Sequence, residues 1–172
     1  MRGPETTIHE IRLLGDPVLR AKAAPVDVID DDIRRLVDEM LATMYAADGV
    51  GLAAPQIGIS QRIIVIDVRE PEIPPFGLIN PVIVETSAET DRDEEGCLSI
   101  PGLRDVVEHP ARVVVEGMDP SGEPRRIEAG ELLARALQHE VDHLDGILFI
   151  DRLSPLKRKM LLSKWERQRE RA

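Results

Sequence analysis

The sequence predicts an α+β fold in which antiparallel β-sheets pack around a central helix carrying an HExxH motif, with an N-terminal helix and a C-terminal helix outside them. Three observations carry this. Residues 30–47 and 130–144 repeat apolar side chains at helical spacing. Between them lie several short β-branched runs punctuated by proline- and glycine-rich turns. Ser154-Pro155 then supplies an N-cap followed by a proline at the first helical position, opening a last helix. At 172 residues the chain is long enough for one buried core, so 1–172 reads as a single domain ending in a basic helix over 154–172.

The elements follow in order. The opening MRGPETTIHEIRLLGDPVLR lacks a charged-then-apolar leader layout, and its acidic residues argue against a transit peptide. In the helix at 30–47, Ile33, Leu36, Val37, Met40, Leu41, Met44 and Tyr45 form one face. Asp30, Asp31 and Asp32 suit its N-terminus by capping and by the helix dipole, and Asp48-Gly49 stops it. GVGLAAPQIG at 49–58 is too glycine-rich and proline-interrupted for a regular element. RIIVID at 62–67 is a buried strand, and Pro71, Pro74 and Pro75 mark a loop. Residues 78–84 give a second strand, which Pro81 pushes towards a sheet edge. Residues 111–118 are strand-like, Asp119-Pro120-Ser121-Gly122 is a turn, and 124–129 return as the hairpin partner. Leu133, Ala136, Leu137, Val141 and Leu144 form the apolar side of the second helix, with Gly146 placed to end it. The run at 147–150 is expected to be a short strand.

Composition narrows the function. Hydrophobic residues make up 42% and no apolar run approaches the length of a membrane span, so a cytoplasmic protein is expected, with no membrane partner. A net charge of -10 and 2% aromatic residues argue against a general nucleic-acid binder. The charge is uneven: 154–172 carries a net +5 and the preceding body -15. A solvated helix face is the ordinary meaning of such a tail, and an address for an anionic partner is the sharper one. The single cysteine, Cys97, excludes a disulfide framework; a lone cysteine is ordinarily a small buried hydrophobe.

The decisive stretch is ALQHEVDHLDG at 136–146. Residues four apart on a helix project from one face, so His139 and His143 can reach one ion while Glu140 reaches a water beside it. A third ligand is needed. The HExxHxxGxxH pattern fails because its last position is Phe149. A downstream glutamate is available in Glu166, which would make an HExxH zinc metallopeptidase, though its surroundings read as a charged terminal helix. Upstream, Cys97 in EEGCLSIPG offers a thiolate on an extended segment. Either choice leaves a position open for water and describes a hydrolytic site. His9 and His109 have no such partners in sequence and are taken as surface or structural residues.

Three segments, GVGLAAPQ (49–56), EGCLS (95–99) and QHEVDH (138–143), resemble in order and separation the signature motifs of the peptide deformylases. The likeness extends to LGDPVLR near the start and DRLSPLKR near the end, so it covers nearly the whole chain. It implies that the third ligand is Cys97, with His139 and His143. It implies hydrolysis of the N-formyl group from the initiator methionine of nascent polypeptides, releasing formate. An ion held there would acidify its water, and Glu140 would take the proton and later deliver it to the leaving amine. The oxyanion donors would be the Gln56 side chain and the Leu98 backbone N–H.

The same likeness assigns substrate contacts. The peptide would pair in extended form with backbone near Val50, Gly51 and Gly96, reading main chain rather than side chains. Glycines at 49 and 51 would let the chain pass close to the metal. Arg135 and Ala136 would line the methionine pocket, and Arg104 would touch substrate backbone further along. Bacterial members are typically Fe(II) enzymes that lose activity on oxidation, while Zn(II), Ni(II) or Co(II) suit the same donors in purified protein. The basic terminal helix would dock on the ribosome.

Overall fold

The computed structural model describes residues 6–171; residues 1–5, where the leader reading begins, and 172 lie outside them. After a 3-10 turn at Pro17–Arg20 come α1 (Asp31–Ala46), β1 (Gly51–Ala53), β2 (Ile63–Ile66), β3 (Phe76–Thr86), β4 (Thr90–Cys97), β5 (Ile100–Pro110), β6 (Arg112–Met118) and β7 (Pro124–Gly130). The chain ends with α2 (Glu131–Leu144), a 3-10 turn at Phe149–Arg152 and α3 (Pro155–Glu170). One antiparallel sheet has the order β1-β2-β3-β6-β7, and β4-β5 form a separate hairpin.

The helices α1 and α3 begin where their capping chemistry sits. The Asp30 side chain accepts the Ile33 N–H and Asp31 and Asp32 occupy the first turn of α1. Ser154 accepts the Lys157 N–H and Pro155 opens α3. The strand β2, IIVI, is wholly buried because both faces of the sheet are covered. Ile64 and Ile66 join Leu78, Val113, Val115, Ile127, Leu133, Leu137 and Leu144 beneath α2. Ile63 and Val65 join Val37, Met40, Met44, Leu52 and Ile79 beneath α1. A third cluster seats α3: Leu161 and Trp165 pack with Leu19, Ile100, Leu103, Val107, Phe149 and Ile150. The helix α2 therefore lies between the five-stranded sheet and the β4-β5 hairpin, and most of it is buried, Arg135, Gln138, His139, Glu140 and His143 included.

Three expectations are corrected and one element is added. Residues 49–58 are ordered into β1 and a 3-10 turn at Ala54–Ile57, the glycines serving close packing rather than irregularity. The strand β3 is interior, flanked by β2 and β6; Pro81 is accommodated by the register shift between Ile79 and Val82, where no ladder bond is required of it. The run at 147–150 leads into a 3-10 turn, not a strand: Asp151 accepts the Leu148 N–H and closes the chain into a helical turn. The hairpin β4-β5 was not foreseen, since TDRDEEGC is charged and exposed along most of its length.

Candidate active site

The motif EGCLS is the tip of this hairpin: Cys97 faces Ile100 in the ladder, with Leu98 and Ser99 as the two-residue turn. Side chains alternate along a strand, so Glu95 and Cys97 project to the same side of β4, towards α2. There the Cys97 Sγ is 3.3 Å from His143 Nε2, which is 3.2 Å from His139 Nε2. These three ligand atoms lie within 4.8 Å of one another, the one such group of at least three His, Cys, Asp or Glu side chains among the described residues. A soft thiol and two imidazoles make a donor set suited to a divalent transition metal. The fit extends to Glu140, fully buried, whose Oε1 has no hydrogen-bond partner among the described residues. Burial pushes the Glu140 carboxyl up to about 7. Glu166, the other candidate ligand, is exposed on α3 and lies outside this group.

Glu95 organises the back of the cluster. Its Oε2 is 2.7 Å from His139 Nδ1, and its Oε1 is 2.8 Å from His109 Nε2 and accepts from Arg135 Nη1 at 3.0 Å. Burial disfavours the charged carboxylate, yet the hydrogen bonds to His109 and His139 outweigh it and hold Glu95 well below the usual carboxylate range. A carboxylate on Nδ1 leaves Nε2 facing the other donors. Arg135 also donates to the Val107 and Asp91 carbonyls, so its guanidinium is spent joining α2 to the hairpin. His109, taken from sequence as a surface or structural residue, is buried in this network. Glu95 is the residue the sequence reading passed over; its position two before the cysteine on a strand was the available signal.

Gln56 is buried in the 3-10 turn after β1. Its Oε1 accepts the Ala53 N–H at 2.9 Å, which fixes the amide so that Nε2 faces Ser99 Oγ at 3.1 Å and Cys97 Sγ at 3.6 Å. Gly51 stands against Glu140: a Cβ built there would lie 2.6 Å from Glu140 Oε2. A Cβ at Gly49 would meet Leu98 Cδ1 at 2.7 Å, so the two loops that carry the donors are in contact.

A cleft of about 650 Å³ opens over the cluster, bordered by Val50 and Gly51 on one side, Gly96 and Arg104 on the other, and Ala136 at its base. Gly96 pairs with Arg104 across the hairpin, and the exposed Arg104 guanidinium reaches Glu94 at 3.8 Å. Arg135 borders the same cleft, but with its charge committed to Glu95 it presents only its aliphatic part for packing. The strand β1 is hydrogen-bonded to β2 on one side alone, so its free edge faces the hairpin's β4 across the cleft.

Paired histidines on a buried helix, a glutamate beside them and a cysteine from a facing hairpin define a metal-dependent hydrolase of the HExxH class. The profile of the polypeptide deformylase family matches residues 8–159. The chain is 56% identical over 152 residues to the peptide deformylase of Natranaerobius thermophilus, covering 88% of this chain and 96% of that one. It is 51% identical to the peptide deformylase of Rhizobium meliloti over 92% of each chain. The crystal structure of a peptide deformylase from Legionella pneumophila superposes with a TM-score of 0.89 at 44% identity, over 95% of this chain and 96% of that one. A Synechococcus elongatus peptide deformylase solved with actinonin gives 0.86 at 48% identity, over 91% and 86%. The chain belongs to the polypeptide deformylase family.

Proposed function

We propose that this chain removes the N-formyl group from the initiator formyl-methionine of newly made polypeptides, releasing formate and a free amino terminus. The observation that carries the reading is the convergence of Cys97, His139 and His143 at the floor of an open-edged cleft, with the Glu140 carboxylate unpaired beside them. Cys97, His139 and His143 would hold one divalent ion, Fe(II) in the cell and replaceable by Zn(II), Ni(II) or Co(II) after purification. When bound, the ion supplies a Lewis acid and acidifies water at neutral pH. Glu140 takes the proton of the attacking water and returns it to the departing amine. The Gln56 Nε2–H and the Leu98 N–H donate to the carbonyl oxygen as it gains charge. Val50 and the free edge of β1 at Gly51, and Gly96 opposite, take the peptide main chain as an added strand. Ala136 at the base of the cleft, with the aliphatic part of Arg135, contacts the methionine, and Arg104 contacts main chain further on.

Formate release from a formyl-Met peptide, by protein purified without oxygen and loaded with Fe(II), tests this directly. Cys97→Ser and an acetyl-Met peptide run beside it as controls. Formate from the wild type alone supports both the reaction and the third ligand; a metal-loaded protein that releases none refutes the reading.

The exposed face of α3 adds a second contact, to the ribosome, in the cytoplasm where nascent chains emerge. Its net positive charge on an acidic body supports this, as does the exposure of Lys159, Lys164 and Arg167 beside Met160. Deleting the helix is a poor test, because Leu161 and Trp165 belong to the core. Reversing the three charges is a clean one: ribosome affinity should fall and its salt dependence flatten, with short-peptide turnover intact. Unchanged affinity would refute the contact.

A further inference from the structure

The cleft's β1 side is held by residues outside the donor cluster. Residues 48–50 precede β1, and their main chain is secured from one direction. Arg69 Nη2 donates to the Gly49 carbonyl at 3.0 Å, and the Asp67 N–H donates to the Val50 carbonyl at 2.8 Å. Arg69 Nη1 donates to the Asp48 carboxylate at 3.2 Å. Asp67 is itself fixed: its carboxylate accepts the Tyr45 hydroxyl at 2.6 Å and the Arg69 N–H at 2.8 Å. The Arg69 guanidinium lies 5.9 Å from the centre of the Tyr45 ring. Burial and the Asp67 bond push the Tyr45 phenol up to about 12, so it remains a donor throughout the physiological range.

The backbone carries strain at both ends of this arrangement. Asp48 has φ 58° and Arg69 has φ 62°, left-handed conformations that side-chain-bearing residues adopt at a cost. Such conformations persist where surrounding contacts over-determine them. Here one guanidinium spans both: it bonds the side chain of Asp48 and the carbonyl of Gly49 while its own main chain is tied to Asp67. A forked donor is required, since a lysine ammonium on the same stem is a point charge without that planar geometry. With the Gly49 and Val50 carbonyls engaged on the β2 side, the lip is set as a rigid rail next to the cleft.

We propose that Arg69, with Asp67 and Tyr45, is a positioning clasp that holds residues 48–51 in the conformation that receives the substrate's main chain. None of the three touches the reacting atoms. The inference rests on the strand-addition reading above. It predicts that the clasp affects the binding of extended peptides and leaves the chemical step alone.

The test compares Arg69→Ala, Arg69→Lys and Tyr45→Phe with the wild type, on a formyl-Met tripeptide and on formyl-methionine. Arg69→Ala should raise KM for the tripeptide about tenfold, the scale of one lost hydrogen bond to a charged group, with kcat and metal content unchanged. The effect on formyl-methionine, which has no chain to lay along the rail, should be under twofold. Arg69→Lys should recover only part of the loss, and Tyr45→Phe should shift KM in the same direction by less. Equal KM for wild type and Arg69→Ala on the tripeptide overturns the clasp, and so does a fall in kcat shared by both substrates. Amide hydrogen exchange of residues 49–51 gives a readout independent of turnover. It should quicken in Arg69→Ala while α2 keeps its protection; identical exchange in the two proteins overturns the clasp even if neither releases formate.

Discussion

Gly51→Ala is the sharpest perturbation the site offers, because it adds one methyl group and no charge. Its Cβ would lie 2.6 Å from Glu140 Oε2, 3.0 Å from Cγ and 3.1 Å from Cδ, whereas ordinary contact begins at 3.4 Å. The closest approach is short by about 0.8 Å. The strand cannot easily give way, since Gly51 is paired with Ile66 and the next residue, Leu52, is fully buried. The α2 backbone is no freer, since Ala136, Leu137 and Val141 pack on the sheet, so the side chain of Glu140 is the part that moves. The carboxylate therefore swings away by most of that distance. A misplacement of about 1 Å can cost about a hundredfold in rate, or about 2.7 kcal/mol of transition-state stabilisation. Steady-state formate release should show kcat down by about that factor, with metal content by elemental analysis equal to wild type. A kcat within threefold of wild type would refute the claim that Gly51 is there to admit Glu140.

Cys97→Ser should lose its metal on dialysis while Glu166→Ala retains a full equivalent, measured by elemental analysis; the reverse result would restore the glutamate-ligand alternative. Leu161→Ala removes a buried side chain from the cluster that seats α3 and should cost about 2–4 kcal/mol in urea unfolding. A loss under 1 kcal/mol would mean that α3 is peripheral to the fold. Burial raises the Asp151 carboxyl, but hydrogen bonds from Arg20 and the Leu148 N–H more than compensate, leaving it below its ordinary 3.8. A depressed carboxyl adds stability above its unfolded value and loses it as pH falls through the folded one. The gap in Tm between wild type and Asp151→Asn should thus be open at pH 6 and begin to narrow as pH falls below about 4; a gap that widens as the medium is made more acidic would contradict the assignment.

What was legible in the sequence was whatever left a periodic or covalent mark. The apolar spacing of α1 and α2, the caps Asp30 and Ser154, and the i, i+4 histidines are properties of adjacent residues, and the helices begin at those caps. The strand β4 left no such mark, because its outer face meets water and its inner face carries Glu95 and Cys97 in place of apolar residues. Pro81 misled for a related reason: the rule that sends proline to an edge assumes an unbroken ladder, and β3 has a register shift there. The role of Arg135 was hidden more deeply. Its partners, Glu95, Val107 and Asp91, are at least 28 residues away in the chain, and only the tertiary fold makes a buried guanidinium on α2 a tie to the hairpin.

The hairpin's separateness from the main sheet has a consequence for how the protein lasts. Cys97 and His143 are 46 positions apart and belong to elements that share no ladder. An ion gripped by both closes that stretch of chain into a loop, as a disulfide would, in a protein whose single cysteine rules one out. The loop can be opened by anything that competes for the metal or oxidises the sulfur. Wear at the thiolate would then register twice, as lost turnover and as a loosened hairpin.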